Sequence, residues 1–523
     1  MAFVLIGFMG AGKSTAATEV AAALGVQPRD SDRLLEQALG RSIAEEFAEN
    51  GEASFREKEE ELACRLLAEA GRAGRQTVVA LGGGSVLSER VRAALRPHVT
   101  VLLDVDADSA WERVQTGGNG EERPLAGDRQ AFGALHARRK ELYERIADAI
   151  LPARVPNVAV RALRALGGLA GAPAGTRLLW ASAASGEYPV LVGRGLLAGE
   201  VCSQPGIWPL DRAVSRPLCV TDETVGPLYG DRLESVRAPI AIEPGERNKT
   251  LASAERVWSA LVAAGMTRAD HVVALGGGVV GDLAGFCAAT YQRGVPIVHV
   301  PTTLVAQVDS AYGGKTGVDL PEAKNYVGAY HQPAGVLVDP ETLATLPAEE
   351  LAAGYAEVLK TALIAGGSLW ERVAAEEPLD ERTILACARC KLAIVAEDER
   401  DAGRRQALNL GHTVGHAIEA MTGYRRYRHG EAVGLGLLAA LRLSGRDALR
   451  EQARELLLAH RLPVALDGDV DVGALLAATM RDKKRTGAHV PFVLVGAPGD
   501  VRPGCEISED ELRAAVAELQ SRR

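Results

Sequence analysis

Two runs in this chain place chemistry-bearing residues directly after short apolar stretches. The first is Gly7-Phe8-Met9-Gly10-Ala11-Gly12-Lys13-Ser14-Thr15, between the strand-like Phe3–Ile6 and the helical pattern Lys13–Leu24. Its spacing is that of a phosphate cradle. Gly10 and Gly12 let backbone N–H groups curl around phosphates, Lys13 supplies a point charge, and Ser14, followed by Thr15, offers a hydroxyl to Mg²⁺. The motif leaves the phosphoryl acceptor open. Asp30-Ser31-Asp32 adds two carboxylates, suited to Mg²⁺ and to a substrate hydroxyl; the plainer reading is an N-cap before a helix over 33–39. Arg56 and Arg139 fall on helix-like segments, Gly82-Gly83-Gly84 ends the strand-like Val78–Leu81, and 116–128, with Arg123, reads as a lid.

The second run starts at Leu275-Gly276-Gly277-Gly278-Val279-Val280-Gly281-Asp282. It continues through Pro301-Thr302-Thr303, Asp309-Ser310-Ala311-Tyr312-Gly313-Gly314-Lys315 and Lys324-Asn325. An apolar stretch running into three glycines and then a helical pattern is a strand ending in a loop whose backbone approaches something closely. In an open α/β sheet such loops deliver ligands at strand ends, so this run reads as a cofactor site. Further on, His412 and His416 stand four apart, Glu357 lies in Gly-Tyr-Ala-Glu-Val-Leu-Lys360, and His429 precedes Gly430-Glu431. Two histidines on one helix face invite a metal, but the spacing alone leaves the question even, because H-E-x-x-H is absent. Cys387 and Cys390 form a lone C-x-x-C within a helical pattern, which reads as structural.

The elements that must carry these groups follow from pattern. At 523 residues the chain exceeds one core. Strands and helices alternate over 1–163, as in a parallel sheet flanked by helices. The run 165–176 loses periodicity, making 164–176 a linker candidate. Alternation resumes over 177–340, an α/β lobe, and 341–523 is largely helical, so 177–523 reads as a two-lobed unit. Charged residues make up 24% of the chain and the net charge is −9, which argues against a nucleic-acid or anionic-membrane binder. Seven dispersed cysteines suit a reducing cytoplasm, and neither a signal peptide nor a transmembrane stretch is legible.

Residues 1–163 resemble shikimate kinase. The resemblance rests on the cradle, Asp-x-Asp, Phe55-Arg56-x-x-Glu59, the glycine triplet, Arg123-Pro-Leu-Ala and Arg139-x-x-Leu142-Tyr143. It implies ATP with Mg²⁺, the ion held by Ser14 and Asp30. It implies shikimate hydroxyls on Asp32, the substrate carboxylate clamped by Arg56 and Arg139, the ring against Gly83 and Gly84, and Arg123 on the nucleotide phosphates. Residues from about 180 to 500 resemble 3-dehydroquinate synthase, through Glu243-Pro-Gly-Glu246-x-x-Lys249-Thr250, the second run, Ala289-Thr-Tyr-Gln-Arg293-Gly, Asp398-Glu399 and Arg404-Arg405. This second resemblance implies a Rossmann-like lobe followed by an all-helical metal and substrate lobe. Zn²⁺ or Co²⁺ would be held by Glu357, His412 and His429. NAD⁺ would meet Asp222, Glu246, Lys249, Gly277, Gly278, Asp282, Thr302, Thr303, Lys324 and Thr345. The substrate, 3-deoxy-arabino-heptulosonate 7-phosphate, would meet Asp309, Lys315, Asn325, Lys360, Lys391, Arg405, Asn409 and His416, with Arg293 and Lys484 at its phosphate. The implied chemistry oxidises a ring alcohol, eliminates phosphate, returns the hydride and closes the ring, so that NAD⁺ is recycled. A homodimer through the synthase unit is expected.

Three other readings compete. A metal-dependent polyol dehydrogenase would not need Lys315, Asn325 or the lysine pair at 483–484. Another sugar-phosphate cyclase is disfavoured by Arg405 and Asn409. A nucleotide sensor in place of the kinase is disfavoured by Lys13, Asp32, Arg123 and Arg139.

Overall fold

The computed structural model describes residues 1–73, 76–116, 127–233, 239–321, 323–479 and 491–520. They divide into two compact units.

The first unit is built on a parallel sheet. Its founding strand, Ala2–Ile6, is apolar and buried at every position, as a strand covered on both faces must be. On one side it pairs with Thr77–Ala80 (Phe3 opposite Val78), which in turn pairs with Pro28–Asp30. On the other side it pairs with Val99–Asp104 (Phe3 opposite Val99), and then comes Ala149–Pro152. Every connection is helical, so the strand ends that carry the cradle, the Asp-x-Asp pair and the glycine triplet share one edge of the sheet.

The stretch expected to be a linker is structured. Leu163–Leu169 is a helix with Ala165, Leu166 and Gly168 buried. Beyond it Leu178 and Leu179 pair in parallel with Ala149 and Ile150. Met1–Ser182, with Pro189–Leu191 and Val201–Pro209, therefore form the first unit, in place of the boundary expected at 177. Two adjacent glycines hid the helix, because glycine is a poor helix former in isolation. Its reason is packing: a Cβ on Gly168 would lie 2.4 Å from the Gly206 carbonyl carbon.

In the second unit the parallel order is Gly335–Val338, Ile297–Pro301, His271–Gly276, Pro217–Asp222 and Ile240–Ile242. The chain builds outward from Pro217–Asp222 on one side, then restarts at His271–Gly276 and builds the other way. That reversal opens a crevice at the carboxyl ends of these two strands, where Asp222 and the second glycine triplet lie. An antiparallel hairpin, Lys315–Leu320 with Ala323–Tyr330, carries the lysines of the second run. The helical lobe starts at Ala348–Ala365 and includes Glu381–Glu397, His412–Met421 and His429–Leu443. The lobe expected to be all-helical also carries a second hairpin, Phe492–Ala497 with Asp500–Cys505. The sequence Asp-Val-Arg-Pro-Gly-Cys of its second strand has no apolar alternation to announce it.

The close approach at Gly168 is testable. Gly168→Ala should destabilise the first unit by about 1–3 kcal/mol, because a methyl group must displace backbone. Gly167→Ala meets nothing within 4 Å and should be neutral or slightly stabilising through helix propensity. Denaturant unfolding of the two variants checks the contrast.

Candidate active sites

In the first unit the cradle closes over the N-terminus of the helix Lys13–Leu24. Gly10 and Gly12 adopt φ of 78° and 84°, left-handed values that cost a side-chain-bearing residue strain. Gly10 is doubly constrained, since a Cβ there would lie 2.5 Å from the Ala110 carbonyl oxygen. Lys13 Nζ donates to the carbonyls of Gly7 and Phe8, each at 3.1 Å, which folds it back over the loop. Ser14 and Thr15 are exposed at the mouth. Asp30 takes the plainer of its two readings: it N-caps Ser31–Leu39 by accepting from the N–H groups of Asp32 and Arg33. It also lines, with Ser14, Thr18 and Arg33, a cavity of about 550 Å³.

The residues expected to hold the acceptor converge. Asp32 and Glu59 both face Gly82, at 2.4 and 2.7 Å from where its Cβ would be, and the Arg56 guanidinium fills that place at Gly84. Any side chain at these glycines would displace the charged groups. The Gly83 carbonyl accepts from Tyr143 and, at 3.5 Å, from Arg139. Burial pushes the Tyr143 hydroxyl up to about 12, so it stays a donor. Glu59, the last residue of Phe55-Arg56-x-x-Glu59, has a positioning role that the sequence does not announce. It is buried, accepts from Ser85 at 2.8 Å and from Arg56 at 2.6 Å, and thereby fixes the arginine. Its position three residues after Arg56 on one helix was the available signal. Arg123 lies outside the described residues.

In the second unit three elements bring Glu357, His412 and His429 together. Their ligand atoms lie within 4.8 Å of one another. Glu357 Oε1 stands 3.5 Å from His412 Nε2 and 3.3 Å from His429 Nε2. Glu357 is 1% exposed, and among the described residues neither of its oxygens receives a well-oriented hydrogen bond. His412 Nδ1 is 3.1 Å from the Leu410 carbonyl, which leaves Nε2 facing the cluster. One buried carboxylate and two imidazoles with their nitrogens converging are a fitting donor set for Zn²⁺ with an open fourth position. His416, one turn after His412, places its ring 5.2 Å from that of His412. Cys387 and Cys390 belong to neither group of metal-competent residues among the described ones.

Beside this cluster lies a buried relay of charges. Lys360 Nζ is 2.5 Å from Glu357 Oε2 and 2.7 Å from Asp309 Oδ2, while Lys391 bonds Asp309 Oδ1 and, at 2.8 Å, its carbonyl. Burial opposes the Asp309 charge, but the two lysines outweigh it and hold the carboxyl well below its usual range. Burial lowers the Lys391 ammonium. Arg405, 1% exposed, gives its guanidinium to the carbonyls of Gly313 and Glu399. Asn409 ends the same short turn, Arg404–Asn409. Lys315 is half-exposed and paired with Asp401 at 2.6 Å, a partner not anticipated from the sequence. Arg293 is exposed in the turn Tyr291–Arg293, with φ of 71°. Lys484 lies outside the described residues.

Of the residues expected around the dinucleotide, Asp222, Gly277 and Gly278 lie at the carboxyl ends of the two strands that flank the crevice. The Asp222 carboxylate accepts from the N–H groups of Thr224 and Val225, both at 2.8 Å. Gly277 approaches Thr303 and Gly278 approaches Ser310, with hypothetical Cβ contacts of 2.8 and 3.1 Å. Thr302 is buried, and among the described residues its hydroxyl oxygen has no hydrogen-bond partner. Lys249 Nζ gathers Glu246 at 2.9 Å, Asp282 at 3.1 Å and Asn325 Oδ1 at 2.7 Å. Lys324 Nζ is 3.0 Å from Glu246. Asn325 sits at φ 58°, held by Asp319, which accepts its N–H at 2.7 Å. Thr345 is placed by Tyr229, with hydroxyl oxygens 2.6 Å apart, on a cavity of about 520 Å³.

The fold and the two sites define a P-loop kinase domain followed by a two-lobed unit with a Glu-His-His cluster. Comparison with known proteins particularises both. The family model of shikimate kinase matches residues 9–164, that of the 3-dehydroquinate synthase N-terminal part 239–353, and that of its C-terminal part 354–485. The 3-dehydroquinate synthase of Symbiobacterium thermophilum is 42% identical over 355 residues, which span 64% of this chain and 98% of that protein. That of Caulobacter vibrioides is 43% identical over 362 residues, 63% of this chain and 95% of that protein. Among solved structures, a 2-epi-5-epi-valiolone synthase from Streptomyces hygroscopicus, with NAD⁺ and Zn²⁺ bound, is 28% identical with a TM-score of 0.57, covering 64% of this chain and 96% of that one. The chain belongs to the 3-dehydroquinate synthase family and carries a shikimate kinase domain fused ahead of the synthase.

The ion pairs of Glu246 with Lys249 and Lys324 make a pH prediction. Burial would raise the Glu246 carboxyl, but Lys249 and Lys324 pull it from 4.5 down to about 2. A depressed carboxyl stabilises the fold above its unfolded value, and the contribution disappears as pH falls towards the folded value. Glu246→Gln should therefore flatten the dependence of second-unit stability on pH between about 4.5 and 2. The lost part is on the order of 2–3 kcal/mol at most, reduced because the carboxylate is 30% exposed. Denaturant titrations across that window measure it.

Proposed function

We propose that the chain catalyses two reactions: ATP-dependent phosphorylation of shikimate to shikimate 3-phosphate in the first unit, and conversion of 3-deoxy-arabino-heptulosonate 7-phosphate to 3-dehydroquinate and phosphate in the second. The observation that carries the first is the convergence of Asp32, Arg56, Glu59 and Arg139 on the glycine triplet, along the same sheet edge as the cradle. Ser14 and Asp30 are suited to Mg²⁺, and the cradle N–H groups with Lys13 to the β- and γ-phosphates of ATP. Arg56 and Arg139 offer two guanidinium groups to a carboxylate. Asp32 can accept from a ring hydroxyl and orient it for transfer.

The observation that carries the second is the Glu357–His412–His429 cluster next to the Asp309–Lys360–Lys391 relay. Those three ligands suit Zn²⁺ or Co²⁺, and the crevice residues Asp222, Glu246, Lys249, Gly277, Gly278, Asp282, Thr302, Thr303, Lys324 and Thr345 suit NAD⁺. Together the two groups would supply reversible oxidation of a ring alcohol and acidification of its hydroxyl. The protein's own part is electrostatic. Lys360 and Lys391 place buried positive charge where a carboxylate and a developing enolate need it. His416 stands where it can exchange a proton with substrate. Lys315, Asn325, Arg405 and Asn409 complete the substrate surface, with Arg293 and Lys484 assigned to the phosphate. A metal-dependent dehydrogenase would leave the Asp309–Lys360–Lys391 relay without a purpose. We further propose a cytoplasmic homodimer formed through the synthase unit; the exposed Tyr326 and Tyr330 of the hairpin offer apolar surface for it, and sedimentation tests it. No described helix is long and apolar enough to cross a membrane.

Two experiments test the assignments. Lys13→Ala should abolish shikimate-dependent ADP formation while leaving the synthase reaction at its wild-type rate, because Lys13 stands at the cradle of the first unit. Absence of that ADP formation in the unmodified chain would refute the kinase assignment. His412→Ala should lose both bound metal and phosphate release. In the unmodified chain phosphate should appear in step with dehydroquinate, with no net change in NADH absorbance; steady NADH accumulation would identify a dehydrogenase instead.

A further inference from the structure

Glu419 is outside both the ligand set and the dinucleotide set, yet it touches one member of each. It lies seven residues after His412 on the helix His412–Met421, on the same face. Its side chain is 4% exposed. Its Oε2 is 3.3 Å from His429 Nδ1, and its Oε1 is 3.1 Å from Lys324 Nζ. His429 turns its other nitrogen, Nε2, to Glu357. An imidazole that donates Nδ1–H to a carboxylate keeps its Nε2 lone pair for a cation, in a fixed ring orientation. Lys324 in turn reaches Glu246, and Glu246 reaches Lys249. The result is an unbroken line of alternating charge from His429 to the crevice.

We propose that Glu419 is a positioning residue that links the two cofactor sites, so that divalent metal and NAD⁺ each bind more tightly when the other is present. The inference rests on the functional reading above. Its physical content is that one carboxylate serves two clients. When a cation fixes the His429 ring, the ring fixes Glu419, and Glu419 holds Lys324 where an anionic dinucleotide needs it. By linkage the gain must be equal in both directions. The same carboxylate also forms, with His416 and His429, a second group whose ligand atoms lie within 4.8 Å. A direct-ligand role for Glu419 is therefore the alternative to be excluded.

The test uses the full chain and binding readouts. Zn²⁺ affinity is measured by competition with a chromophoric chelator, with and without NAD⁺. NAD⁺ affinity is measured by calorimetry, with and without Zn²⁺. The ligand field is read from the visible absorption of the Co²⁺-loaded protein. In the unmodified chain each cofactor should tighten the other by about fivefold or more, by the same factor in both directions. Glu419→Gln should weaken Zn²⁺ about 10–100-fold without abolishing it, shift the Co²⁺ bands, and bring the mutual effect to about one. Lys324→Met should weaken NAD⁺ and also abolish the mutual effect, yet leave Zn²⁺ affinity in the absence of NAD⁺ within about twofold; this arm holds even if Glu419→Gln fails to fold. Wild-type affinities and coupling in both variants would overturn the inference alone. So would complete loss of metal in Glu419→Gln with retention in His412→Ala, which would make Glu419 a ligand. An unmodified chain that binds neither Zn²⁺ nor NAD⁺ would overturn the inference together with the synthase reading.

Discussion

A carboxylate taken out of water has to be answered by positive charge, and in the second unit that constraint organises everything around Glu357. At 1% exposure, an ionised group costs several kcal/mol unless partners surround it. Lys360, three residues on in the same helix, supplies that charge at Oε2, and the His412 and His429 imidazoles converge on Oε1 from two further helices, where a bound cation would supply more. Lys360 then shares itself with Asp309, and Asp309 draws in Lys391. These contacts tie the helices Ala348–Ala365, Glu381–Glu397, His412–Met421 and His429–Leu443 to one another by charge as well as by apolar packing. The lysines expected to meet substrate are therefore held rigid before substrate arrives, which is what electrostatic preorganisation requires.

The first unit meets the same constraint on a smaller scale. Glu59, buried behind the glycine triplet, is answered by Arg56 and Ser85. At Gly82 and Gly84 of the triplet, charged groups occupy the space that side chains would take. Here the backbone is thinned so that carboxylate and guanidinium can stand close to a small acid. In the second unit Gly277 and Gly278 are thinned for the opposite reason, to let Thr303 and Ser310 lie against the loop that faces the crevice.

What was legible in the sequence was whatever depends on local spacing. The cradle needs its glycines, lysine and hydroxyl within nine residues, and the strand before it and helix after it are short-range consequences of the same run. The parallel character of both sheets follows from apolar runs alternating with helical ones. The His412–His416 pair shows on one helix because i and i+4 share a face. Glu59 and Glu419 were open to the same argument, as i+3 and i+7 neighbours of Arg56 and His412, but an acidic residue on a helix is so often a solvated one that the pattern alone does not single them out.

The rest belongs to the tertiary structure, for a physical reason that particular residues make plain. Glu357 and His429 are 72 positions apart in sequence, and no spacing rule relates them; only the packing of their helices brings Oε1 and Nε2 to 3.3 Å. The helix Leu163–Leu169 is stabilised by a turn near Gly206 and not by its own composition, so propensity read it as a linker. Lys315 found Asp401, and Asp30 became an N-cap, because partner choice is settled by which groups are left unsatisfied once the chain has folded. The sequence by itself determined the residue types, the two units and the chemistry available to each. The tertiary structure decided which buried charges face one another, because the cost of burying a charge exists only after water has been excluded.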